Sequence, residues 1–67
     1  MNTPRFPNIR VKLINRDGNA FSIIGRVTKT MRRSGVSEEE IGLFREEAMS
    51  GSYDTLLKTV MKWVDVF

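Results

Sequence analysis

From Ile9 to Leu13 apolar and cationic positions alternate as Ile-Arg-Val-Lys-Leu, so Ile9, Val11 and Leu13 share one face and Arg10 and Lys12 the other. A period of two belongs to a strand with one buried side, and it predicts a strand over residues 9–14. Ahead of it, Pro4 and Pro7 break any regular pattern, because proline lacks an amide donor and restricts the residue before it. Residues 1–8 are therefore expected to form a flexible N-terminal arm, and residues 9–67 a single small globular domain.

Residues 15–19, Asn-Arg-Asp-Gly-Asn, read as a turn. Beyond it the period lengthens. Ala20, Ile24, Val27 and Met31 recur at helical spacing, with Phe21 and Thr28 beside them. Asn19 is placed to cap this first helix and Ser34-Gly35 to end it, which gives a helix over residues 20–33. Gly25 sits in its middle, where glycine costs about 1 kcal/mol relative to alanine. Two readings of it stand: close packing on a neighbouring element, or close approach of a partner's backbone.

Ser37-x-x-Glu40 is a capping box, with Val36 and Ile41 at staple positions, and it opens a second helix over residues 37–49. Ile41, Phe44 and Ala48 form its apolar stripe, with Met49 beside it. A third helix, residues 52–64, starts at Ser52 and buries a face of Tyr53, Leu56, Leu57, Val60, Trp63 and Val64. The closing Trp63-Val64-Asp65-Val66-Phe67 fits either more helix or a short strand. A lone strand leaves its ladder groups unpaired, so residues 9–14 need a partner, either this C-terminus or a second copy of the chain.

The fold class expected is α+β: an N-terminal strand, three short helices and a possible short C-terminal strand. The expected core is Val11, Leu13, Phe21, Ile24, Val27, Ile41, Phe44, Leu56, Leu57, Val60 and Trp63. A chain of 67 residues buries only roughly 60% of its unfolded surface. Such a core supplies at most about 3–5 kcal/mol.

Composition narrows the chemistry. The chain has no cysteine and no histidine, so no disulfide, no thiolate or imidazole metal ligand and no histidine base can form. The acids fall where helix starts and solvated faces want them. No Gly-rich phosphate loop is present. No catalytic, cofactor-binding or metal-binding residue is expected, and the chain is read as non-enzymatic. No apolar run approaches the roughly 20 residues that span a bilayer, which makes a cytoplasmic protein without a membrane partner the expectation.

Charge carries more. Residues 1–35 hold eight cations and one acid, residues 36–67 three cations and seven acids, within a net charge of +3. Arg26, Lys29, Arg32 and Arg33 cluster at the end of the first helix, and Arg26, Lys29 and Arg33 share one face at i, i+3 and i+7. Three uses compete for them: complementing the helix dipole and the glutamates of the next helix, contacting phosphates, or contacting an acidic protein. A helix-turn-helix outline is present, but its second helix would present Glu38, Glu39 and Glu40 to DNA, where phosphates repel them. A protein partner is thus the leading expectation, with nucleic acid bound by the first helix as the alternative, and self-association through the N-terminal strand as a further route.

The runs Val11-Lys12-Leu13, Asp17-Gly18-Asn19-Ala20-Phe21-Ser22-Ile23-Ile24-Gly25-Arg26-Val27, Ser50-Gly51-Ser52-Tyr53-Asp54-Thr55-Leu56-Leu57 and Met61-Lys62-Trp63-Val64-Asp65-Val66 carry a resemblance. They resemble a group of short uncharacterised hypothetical proteins of bacteria and their phages, over roughly residues 9–66. The resemblance implies a small stand-alone protein of phage-like or mobile-element origin. No activity attaches to that group, so no functional residue carries over.

Overall fold

The computed structural model describes residues 3–13 and 18–67. The order is β1 (Phe6–Val11), α1 (Ala20–Arg33), α2 (Glu38–Ala48), α3 (Tyr53–Trp63) and β2 (Val64–Val66), an α+β fold. Ile14 and the Asn15–Asp17 part of the expected turn lie outside the described residues.

The two strands form a parallel two-stranded sheet. Parallel neighbours need a crossover, and here the three helices supply it. The C-terminus is therefore strand after Trp63, and the partner that β1 requires is in the same chain. Phe6 pairs with Val64, Arg10 with Asp65 and Val11 with Val66, so the ladder skips across Pro7, Asn8 and Ile9. Beyond the strands, Arg5 donates its amide to Lys62 at 2.9 Å and Leu13 its amide to Phe67 at 2.7 Å.

That skip corrects the expected arm. Strand β1 begins at Phe6 rather than Ile9, with Pro7 inside it. Proline cannot donate to a ladder but is tolerated at a bulge, and Pro7 falls where the register breaks. Phe6 then lies against Trp63, ring centroids 6.0 Å apart. Residues 6–8 belong to the domain.

Each helix starts on a side-chain cap. Asn19 accepts from the Phe21 amide, Ser37 from Glu40 and Ser52 from Thr55, each cap worth about 1 kcal/mol. Helix α1 ends in a Schellman motif: Val36 donates to the Met31 carbonyl at 3.0 Å and Gly35 to Arg32 at 3.2 Å. Gly35 takes φ 89° there, a left-handed conformation that side chains oppose. At α2 only half of the capping box forms. The Ser37 hydroxyl accepts the Glu40 amide, but the Glu40 carboxylate accepts from Arg5 at 2.7 Å. The other Glu40 oxygen, Oε2, is buried without a hydrogen-bond partner among the described residues.

The core joins Ile9 and Val11, Ile23, Ile24, Val27 and Met31 of α1, Ile41, Phe44 and Ala48 of α2, and Leu56, Val60, Trp63 and Val64 beyond them. Leu13 and Leu57 are only partly buried against it. Trp63 ties the layers together. Phe44 meets it edge-on at 5.8 Å, and its Nε1 donates to Glu47 at 3.1 Å. Phe21 is the failed core assignment, 76% exposed. The buried stripe runs through Ala20, Ile24, Val27 and Met31, and Phe21 sits one residue, about 100°, around the helix from it.

Candidate functional site

Helix α1 turns Ile23, Ile24, Val27, Thr28 and Met31 inward. By helical spacing its outward side runs round from Phe21, Arg32 and Gly25 through Lys29 to Arg33 and Arg26. All four candidate cations thus lie on one helix that contains no acid, Lys29, Arg32 and Arg33 exposed and Arg26 half-buried.

Their surroundings separate them. Arg32 grips Glu38 across the Ser34–Gly35 turn with two hydrogen bonds, Nε to Oε2 at 2.7 Å and Nη2 to Oε1 at 3.0 Å. That hydrogen bonding and the Arg32 charge hold the Glu38 carboxyl below its ordinary value, while Glu38 pushes Arg32 up. The pair is a clasp between α1 and α2. Lys29 and Arg33 are exposed and form no ion pair among the described residues. Arg26 is half-buried, and its Nη1 is buried with no hydrogen-bond partner, a costly state for a guanidinium nitrogen.

The same division runs through the charge asymmetry of the chain. Arg5–Glu40 at 2.7 Å, Arg10–Asp65 at 3.1 Å and Arg32–Glu38 at 2.7 Å each join a cation of the basic half to an acid of the acidic half. Arg10 also lies over the Phe67 ring, 4.3 Å from its centroid. Much of the polarity seen in sequence is intramolecular complementarity. Among the described residues, what is left over is Lys12 and the row Arg26, Lys29 and Arg33.

Gly25 now has one reading fewer. It is exposed, and nothing stands within 4 Å of where its Cβ would be. Among the described residues nothing packs on it, so close packing there does not account for it. Gly42 of α2 is likewise without a neighbour within 4 Å, and Leu43 beside it is 49% exposed. The sequence reading did not single out Gly42 and Leu43. The available signal was their position between Glu39 and Glu46, off the Ile41–Phe44–Ala48 stripe.

Two grooves lie among the described residues. One, of ≈ 430 Å³, runs between Arg5–Ile9 and the Ser34–Val36 turn. The other, of ≈ 240 Å³, lies between the starts of α1 and α3, rimmed by Phe21, Met49 and Tyr53. The Tyr53 hydroxyl donates to the Gly18 carbonyl and draws those two helix starts together. Neither groove is lined by a carboxylate. Among the described residues no cluster of three or more acids is placed to hold a metal ion, and no helix is long and apolar enough to cross a membrane. Compared with protein-family models, curated proteins and solved structures, the chain matches none.

Proposed function

We propose that this chain is a small non-enzymatic protein-binding domain, and that the outward face of α1 is its contact surface. The observation that carries the reading is Gly25. A mid-helix glycine costs about 1 kcal/mol relative to alanine, and here no atom of the described residues stands within 4 Å of where its Cβ would be. A partner whose backbone approaches α1 closely would account for it. An exposed phenylalanine, Phe21, lies one turn before it, and an unneutralised cation, Lys29, one turn after. Phenylalanine is among the residues enriched at protein interfaces, and an unneutralised cation steers an acidic partner towards the face. The partner expected is acidic, and the setting is the cytoplasm expected from the sequence.

Nucleic acid is the second reading, favoured by the row Arg26, Lys29 and Arg33. The row spans seven residues, about 10 Å of helix, enough for a few phosphates. Against it stand Glu38 and Glu39, both exposed at the start of the adjacent helix. One titration separates the two readings. Labelled polyglutamate and labelled DNA are each followed by anisotropy at ~50 and ~200 mM salt, where several phosphate contacts cost orders of magnitude in affinity. Binding of polyglutamate that Lys29→Glu abolishes supports the protein reading. DNA binding alone, with the steep salt response, replaces it with the second. Binding of neither ends both.

The open edge of β1 is a poorer contact. Pro7, the register break and the exposed Arg10 and Lys12 are features that blunt sheet edges. A second β1 laid against it would also bring like charges together.

A further inference from the structure

We propose that the outward face of α1 in one molecule docks on the outward face of α2 in a second copy. This rests on the reading of α1 as a contact surface and names its partner.

Charge is the first argument. Helix α1 carries four cations and no acid, and α2 carries five acids and one cation, Arg45. Within the chain a single pair, Arg32–Glu38, joins them. Glu40 is taken by Arg5, and Glu47 by Lys62 and Trp63. Arg26, Lys29 and Arg33 are left on one helix, Glu39 and Glu46 on the other, without ion pairs among the described residues. Arg26 to Arg33 and Glu39 to Glu46 are both steps of seven residues, about 10 Å, so two pairs can form at once.

Shape is the second argument. Each face carries a glycine, Gly25 or Gly42, with nothing within 4 Å of a Cβ position. Two helices crossing at small residues approach more closely and pack more backbone. Each face also exposes one large apolar side chain, Phe21 at 76% and Leu43 at 49%. A basic face with a gap and an anchor meets an acidic face with a gap and an anchor.

The two faces lie on helices joined by the Ser34–Gly35 turn, so one molecule cannot satisfy both with itself. Made reciprocally about a two-fold axis the contact closes a dimer, and made one way only it propagates into a ring or an open string of copies. Exposed ion pairs contribute little each and are screened by salt. The association is therefore weak and salt-sensitive, and is read at ~1 mM protein, the range where weak constants are measured.

The test is a charge swap followed by sedimentation velocity. One variant carries Lys29→Glu and Arg33→Glu, the other Glu39→Lys and Glu46→Lys. All four positions are exposed, so both variants should keep the circular dichroism spectrum of the parent. The parent is expected to associate at ~1 mM in low salt and to dissociate in ~0.5 M salt. Each variant alone stays monomeric, and an equimolar mixture associates again. A parent that is monomeric throughout overturns the inference. So does association that neither variant weakens, or a mixture that stays monomeric. If the parent is monomeric but polyglutamate still shifts the amide resonances of Arg26 to Arg33, only the self-partner falls. If polyglutamate shifts nothing, the reading of α1 falls with it.

Discussion

Arg32 and Arg33 are neighbours in sequence, yet they belong to two different regions of the surface. Arg32 faces the seam where the basic half of the chain meets the acidic half, and Glu38 closes on it. Arg33 faces outward with Lys29, where no acid of the described residues reaches. The seam is made of the same residue types as the outward face, but its charges serve the fold. A cationic cluster in a sequence is thus a mixture. Only the tertiary arrangement sorts which members are spent internally and which remain for a partner.

The sharpest way to break that comparison is to cross from the outward face of α1 to the inward one. Met31 is fully buried. Met31→Ala should cost about 2–5 kcal/mol, comparable to the whole stability of a chain this small, and urea titration should find it largely unfolded. Lys29→Ala, two residues away, should stay within about 0.5 kcal/mol of the parent. Equal losses would mean that the outward face belongs to the fold.

Next in size is the α1–α2 turn. Gly35→Ala forces a side chain into φ 89° and should cost about 1–2 kcal/mol, seen as a lower thermal midpoint. That loss marks a glycine the backbone needs, against which Gly25 can be judged.

The smallest effect is electrostatic and sharpens the seam. The carboxyls of Glu38 and Glu47 are held below their ordinary value, Glu38 chiefly by its hydrogen bond from Arg32 and Glu47 chiefly by that from Lys62 and then Trp63. A lowered folded-state pKa means the unfolded chain takes up the proton first. The contribution is complete above the ordinary glutamate range and is lost as pH falls through the folded-state values. Glu38 is exposed and Glu47 half-buried, and solvent screening keeps the contribution small. Thermal midpoints between neutral pH and pH ~3 should fall less in a Glu38→Gln, Glu47→Gln double variant than in the parent. A parallel fall would remove the seam from the account.

The helices were legible because their signals are local. Asn19, Ser37 and Ser52 cap the helices they precede, and Gly35 ends α1 in the conformation glycine permits. Two of the failures share one cause, which is that the deciding contact is remote in sequence. Pro7 argued against a strand until the break opposite β2 accommodated it. Glu40 was expected on the Ser37 amide, but Arg5 comes from 35 residues away to claim its carboxylate. Phe21 was assigned inward because it is aromatic and adjacent to the stripe, although angular position decides burial. Of the candidate site, the helical spacing of Arg26, Lys29 and Arg33 could be read from the sequence, but not that Arg26 is half-buried while Lys29 and Arg33 are exposed. The sequence could not separate Arg32 from them, because the partner of Arg32 lies across a turn.

The central claim is that the outward face of α1 is kept for a partner rather than for the fold. Gly25→Ala tests it most directly, with the thermal midpoint and the sedimentation behaviour measured on the same sample. With nothing within 4 Å of the new Cβ, the variant should be more stable by about 0.5–1 kcal/mol and should associate more weakly than the parent. A lower midpoint, or a higher one with association unchanged, would contradict the account.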